Sequence, residues 1–163
     1  MLVNAKNNLL NTKASDFSLI SVDEKYYNLN DILGKNGTVI AFICNHCPYV
    51  IKSINRLVNE ANELKKIDVS TVCIMSNDTN TYPEDSFENM KKFSNKHNFS
   101  FPYLYDSTQE IALKYGAVCT PDFFCFNKFN ILKYRGRLDS SSLDANKDIK
   151  RDLFYAMKHI IIN

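Results

Sequence analysis

Two hydrophobic rhythms alternate along the chain. Val39 to Ile43 is apolar without a break, and Val69 to Met75 is apolar and β-branched, as in strands buried on both faces. Between them Val50, Ile54, Leu57, Ala61 and Leu64 recur every three or four residues, which predicts a helix with one apolar face. Phe87, Met90 and Phe93 predict a second helix, opened by Pro83-Glu84-Asp85-Ser86. Pro102 to Tyr105 is a short strand candidate. Ser107-Thr108-Gln109-Glu110 has the form of a capping box, with Gly116 placed to end that helix. Phe17–Ile20 and Tyr26–Leu29 flank the polar Asp23-Glu24-Lys25, and Phe123–Phe126 and Ile131–Tyr134 flank Asn127-Lys128-Phe129-Asn130. Both patterns read as β-hairpins. Ile149, Leu153, Met157 and Ile160 mark a closing helix. The order β-hairpin, β, α, β, α, β, α, β, β, α predicts an α/β sandwich: a central mixed sheet with helices on both faces.

The 163 residues form a single expected domain, 1–163, long enough to bury a core without metal clips or disulfide staples. Twenty Lys and Arg stand against eighteen Asp and Glu, so no charge excess points to nucleic acid or an anionic membrane. No apolar run approaches the ~20 residues of a membrane span. Met1 to Asn8 lacks the basic-then-apolar pattern of a signal peptide, so a cytoplasmic location is expected. Five cysteines, an odd number, in such a chain suggest thiol chemistry or metal binding rather than a disulfide framework.

The chemistry concentrates in Cys44-Asn45-His46-Cys47-Pro48, where a buried strand hands over to a helix. Residues three apart on a helix share a face, which would bring the two sulfurs to bonding distance. A helix N-terminus favours thiolate over thiol. Open α/β sheets place their sites at the carboxyl ends of their strands. Pro48 lacks an N–H and fits only in a first turn, so the helix is expected to begin at about the CxxC itself. A structural zinc site would want a second CxxC or C-x-x-H, and the chain has none. Cys73 and Cys125 fall inside strand patterns and read as small buried hydrophobes.

Phe42-Ile43-Cys44-Asn45-His46-Cys47-Pro48-Tyr49-Val50, Tyr82-Pro83-Glu84-Asp85-Ser86, Tyr103-Leu104-Tyr105-Asp106, and Cys119-Thr120-Pro121-Asp122-Phe123-Phe124 followed by Tyr134-Arg135-Gly136 together resemble the peroxiredoxin-like redoxin branch (AhpC/TSA-like) of the thioredoxin superfamily. The resemblance covers about residues 15 to 160. It implies a thioredoxin-like fold with an N-terminal β-hairpin extension. It also implies a cis-proline at Thr120-Pro121 opposite the CxxC, in a loop whose backbone pairs with an extended substrate. Cys119 would then lie near Cys44 and Cys47.

The leading expectation is a thiol–disulfide oxidoreductase. Cys44 is the expected exposed nucleophile and Cys47 the resolving thiol one helical turn inward. His46 is expected to stabilise the Cys44 thiolate and make the pair less reducing than a thioredoxin. Partners would be protein or small-molecule thiols and disulfides. No cofactor is expected, and the protein would be a monomer or homodimer. A second reading is a peroxiredoxin-like antioxidant peroxidase with Cys47 peroxidatic and Cys44 or Cys119 resolving. Against it, the peroxiredoxin P-x-x-x-T-x-x-C motif has Ile40 for its proline and Cys44 for its threonine, and only Arg135 and Arg137 are candidates for its arginine. A third reading is copper or zinc held by Cys44, His46 and Cys47, with Cys119 as an added ligand.

Overall fold

The computed structural model describes residues 9–141 and 148–163. Residues 1–8, read above as lacking a signal segment, lie outside the described residues. The chain runs β1 (Ser18–Ser21), β2 (Tyr26–Asn28), β3 (Gly37–Phe42), α1 (Pro48–Lys65), β4 (Val69–Met75), α2 (Phe87–Lys96), β5 (Tyr103–Tyr105), α3 (Glu110–Tyr115), β6 (Asp122–Asn127), β7 (Leu132–Gly136) and α4 (Asp152–Ile162). The strands form one seven-stranded sheet in the order β2-β1-β5-β4-β3-β6-β7. β3 runs parallel to β4 and antiparallel to β6, so the sheet is mixed and β3 lies inside it.

The period of two along β3 explains its unbroken hydrophobicity. Val39, Ala41 and Ile43 point into a core beneath α1, α2 and α4, with Ile54, Met90, Leu153 and Met157. Ile40 and Phe42 point to the opposite face, against Ile111, Tyr115 and Phe124. Each face therefore has its own core. The strand connecting them has no polar side to spare, and the first available exit for a reactive group is past its carboxyl end.

Two local expectations change. α3 is not capped by Ser107: Gln109 precedes it in a left-handed conformation with no side-chain cap. The buried Asp106 carboxylate accepts from the N–H groups of Ile111 (3.3 Å) and Ala112 (3.0 Å) instead. A carboxylate sealed under the helix start does the capping more effectively than an exposed serine, because it also faces the positive end of the dipole. Gly116 ends α3 as expected, at φ +64°. The closing helix starts at Asp152, so Ile149 lies outside it. Among the described residues no helix is long and apolar enough to cross a membrane.

Candidate active site

β3 ends at Phe42 and α1 begins at Pro48. The dithiol motif therefore occupies the link between them, and the expectation that both cysteines share a helical face is not met. Cys47 is the residue that caps α1, with extended backbone angles (φ −63°, ψ 124°). Cys44 lies three residues earlier, outside the helix. The sulfurs are gathered by Thr120. Cys44 Sγ is 3.3 Å from Thr120 Oγ1, and the Cys47 thiol donates to Thr120 O at 3.3 Å. The Thr120–Pro121 peptide is cis. Both cysteines are free thiols here.

Their exposure is the reverse of the expected one. Cys44 is 1% exposed, whereas Cys47 is half-buried. The electrostatics follow the same order. The hydrogen bond from the Cys44 thiol pulls Cys47 down to about 5, against the opposing effect of burial and with help from the Val50 and Tyr49 N–H groups of the opening helix turn. That same hydrogen bond, burial and the nearby Asp85 charge push the Cys44 thiol up. Cys47, not Cys44, is thus the accessible sulfur and the one whose thiol is drawn toward ionisation. The main cause is the neighbouring Cys44 thiol, and the opening turn of α1 adds to it.

His46 does not serve the Cys44 thiolate as expected. Its Nδ1 lies 2.8 Å from Asp85 Oδ2, a close contact whose angles are not those of a hydrogen bond. The imidazole stacks on Tyr82, with ring centroids 5.0 Å apart and 16° between planes. Asp85 is wholly buried. Its Oδ1 accepts the Asn45 N–H at 2.7 Å, and its Oδ2 accepts from Asn77 Nδ2 at 2.8 Å. The Tyr103 hydroxyl donates to Asn45 Oδ1 at 2.9 Å and steadies the same loop. The sequence places Asp85 at a helix opening and in the Tyr82–Ser86 segment of the family resemblance, and does not place it in the site. Pro83–Asp85 forms a single 3-10 turn, and Ser86 caps α2 by accepting the Asn89 N–H at 3.4 Å. That leaves the Asp85 carboxylate free to turn inward, an outcome the helix-start composition does not distinguish.

Of the remaining candidates, Cys119 stays within electrostatic reach of Cys47, while Arg137 lies apart from the site. Cys119 is exposed and lines a groove of about 370 Å³ together with Thr120, Asn77, Leu113 and Val118. Desolvation and the Asp122 charge push its thiol up, with Arg135 opposing. Arg135 is buried and bonded to Asp122 Oδ2 and to Gly116 O, each at 2.7 Å, and its guanidinium lies over the Phe124 ring. Arg137 pairs with Asp152 at the surface. Cys73 and Cys125 are wholly buried in β4 and β6. Among the described residues one set of metal-competent donors converges: a sulfur of Cys44, an imidazole nitrogen of His46 and a carboxylate oxygen of Asp85 lie within 4.8 Å of one another. Cys47 and Cys119, expected as metal ligands, are not in that set.

A model of the AhpC/TSA family matches residues 10–135. No curated protein matches the chain. The crystal structure of an uncharacterized conserved protein from Geobacillus kaustophilus superposes with a TM-score of 0.90 at 42% identity, over 94% of this chain and 82% of that one. Peroxidoxin BcpB from Mycobacterium tuberculosis superposes with a TM-score of 0.71 at 17% identity, over 93% of this chain and 97% of its own. A secreted Mycobacterium tuberculosis disulfide oxidoreductase homologous to E. coli DsbE gives 0.67 at 17%, over 88% and 95%. The last two similarities establish the shared fold, which is thioredoxin-like.

Proposed function

The chain belongs to the AhpC/TSA family, and from that premise we propose that it is a thiol–disulfide oxidoreductase in which Cys47 attacks and Cys44 resolves. One observation carries the reading: a half-buried sulfur at the start of α1 and a buried sulfur behind it meet on the same residue, Thr120. The Cys47 thiolate attacks one sulfur of a substrate disulfide. A Cys47–substrate disulfide forms and the other substrate sulfur leaves as a thiolate. Cys44 then gives up its proton and attacks Cys47 Sγ. This releases the second substrate thiolate and leaves a Cys44–Cys47 disulfide. Two electrons pass from the dithiol to the substrate, and the same steps reversed oxidise a substrate dithiol. Protein or small-molecule thiols and disulfides are the substrate class.

The test is trapping. A Cys44→Ser protein mixed with an aromatic disulfide such as DTNB should stop as an adduct on Cys47, located by peptide mass spectrometry. Adducts on Cys119 with Cys47 unmodified would end the assignment.

A second reading has one observation in its favour: the accessible sulfur is that of the Cys47-Pro48 step, which resembles the peroxidatic step of the family. Cys47 would take one oxygen from a hydroperoxide, giving a sulfenic acid and an alcohol or water. Cys44 would condense with it, releasing water. Arg135, the buried candidate for the peroxidase arginine, is bonded to Asp122 and Gly116, which argues for exchange first. Stopped-flow oxidation by hydrogen peroxide separates the readings. A rate no faster than that of a free thiol leaves exchange alone.

A further inference from the structure

Asp85 is a carboxylate without solvent. Burying such a charge is costly unless a cation answers it. Its donors Asn45 and Asn77 are neutral, and the ionisable side chain set against it is the His46 imidazole. The His46 contact brings Nδ1 to 2.8 Å in a direction that makes no hydrogen bond. A nitrogen and a carboxylate oxygen thus face each other off-axis, and the Cys44 sulfur completes a triangle with all three donors within 4.8 Å. They come from two places: Cys44 and His46 from the link between β3 and α1, and Asp85 from the turn before α2. Convergence of sulfur, nitrogen and oxygen from two segments far apart in the chain is what a compact cation site requires.

We propose that the reduced protein binds one Zn(II) ion through Cys44 Sγ, His46 and Asp85, with solvent in the fourth position. A sulfur, an imidazole and a carboxylate together suit Zn(II), whereas Cu(I) prefers sulfur donors without a hard oxygen. Two ligands on a tetrahedral Zn(II) sit roughly 3.3 Å apart, so the His46–Asp85 contact opens by about half an ångström on binding. The supporting contacts are already in place. Asn77 and the Asn45 N–H orient the carboxylate, and Tyr82 holds the imidazole plane. His46 is about one-third exposed (34%) and provides the entry path, since Cys44 and Asp85 are sealed.

Binding converts the Cys44 thiol to a zinc thiolate and releases one proton to solvent, with no change of oxidation state. Binding itself stands apart from the proposed exchange reaction. Its consequence rests on that reaction: Zn(II) withholds Cys44 from Cys47, so an adduct on Cys47 persists until the metal is removed.

Zn(II) titrated into reduced, chelator-stripped protein against a chromophoric competitor tests the site. One equivalent should bind. Asp85→Asn, His46→Ala and Cys44→Ser should each weaken binding by about 100-fold or more, and Cys119→Ser should not. Co(II) in place of Zn(II) should give a sulfur-to-metal charge-transfer band that Cys44→Ser abolishes, a signature that a fold defect does not mimic. Failure of the reduced protein to take up Zn(II) at micromolar concentration overturns the proposal. So does wild-type affinity in Cys44→Ser or Asp85→Asn. Disulfide exchange assayed in chelator reports on the Cys47 reading independently of either result.

Discussion

Cys47 and Cys125 sit on the same sandwich and have opposite chemistry. Cys125 lies within β6, paired to β3 and β7, where burial alone pushes its thiol up. Cys73 in β4 behaves the same way. Cys47 lies just past the end of β3, where the opening turn of α1 and the Cys44 thiol pull it down to about 5. The residue type is identical. What differs is whether the sulfur has donors within reach: Cys47 has the Cys44 thiol first and the opening turn of α1 second, and Cys125 has only burial. In a central strand every N–H is committed to a neighbour, so a thiolate finds no donor. At a helix start the N–H groups have no helical partner, and the positive end of the dipole there favours a thiolate.

Two buried carboxylates extend the contrast. Asp122 is sealed but answered by Arg135 at 2.7 Å, and the pair is a closed structural unit. Asp85 is equally sealed but, among the described residues, is answered by neutral amide groups and an imidazole. One carboxylate fastens β6 to β7 beside the cis-proline loop. The other holds the Cys44–Cys47 link.

The sharpest way to break the first contrast is to remove sulfurs. Cys47→Ser should lower disulfide exchange by about 10³-fold or more, the order expected when a nucleophile is lost, while Cys73→Ala and Cys125→Ala retain it. Steady-state exchange with a chromogenic disulfide checks this. Equal losses in all three variants would erase the distinction.

Next in size is the carboxylate pair. Arg135→Met strands Asp122 as a buried unpaired charge and should destabilise the fold by about 3–5 kcal/mol. Asp85→Asn removes a charge rather than isolating one, and should cost roughly 1–3 kcal/mol. Urea denaturation of both variants, in chelator, reads the difference.

A pH titration comes third. The folded value for Cys47 lies below the unfolded one. The thiolate therefore contributes stability that is fully present above the ordinary thiol range and is lost as pH falls through about 5. In chelator, the alkylation rate of Cys47 by iodoacetamide should rise with a midpoint near 5. Cys44→Ala removes the largest cause and should move that midpoint upward. A wild-type midpoint in the ordinary thiol range would show that the helix start and Cys44 contribute little.

The smallest expected effect is on the redox couple. A stabilised thiolate favours the dithiol state, so the Cys44–Cys47 potential should lie above the thioredoxin value of about −270 mV. Equilibration with glutathione in chelator measures it.

Much of the architecture was readable from the chain. The apolar stretches Val39–Ile43 and Val69–Met75 became the two central strands, because only a fully covered strand tolerates side chains of that kind on both faces. Pro48 marked where α1 starts. The order of the two thiols was not readable, since a C-x-x-C string is symmetric and exposure depends on how β4, Thr120 and the Asp85 turn close over Cys44. The cap of α3 departs from its sequence pattern for a similar reason. Ser107 and Glu110 have the right spacing, but Asp106 was already turned under the helix by its place after β5.

The chain by itself determined the elements, their order, and a dithiol between a buried strand and a helix. Those depend on periodicity and on local backbone restrictions, which act between residues a few positions apart. The tertiary structure alone decided which sulfur meets solvent, that Asp85 stands beside His46, and that Arg135 is held by Asp122. Asp85 is 39 residues from His46 in the chain, and the two meet only because parallel β3 and β4 deliver their carboxyl ends to one edge of the sheet. Contacts made across a sheet depend on strand order, and no local pattern of side chains carries that information.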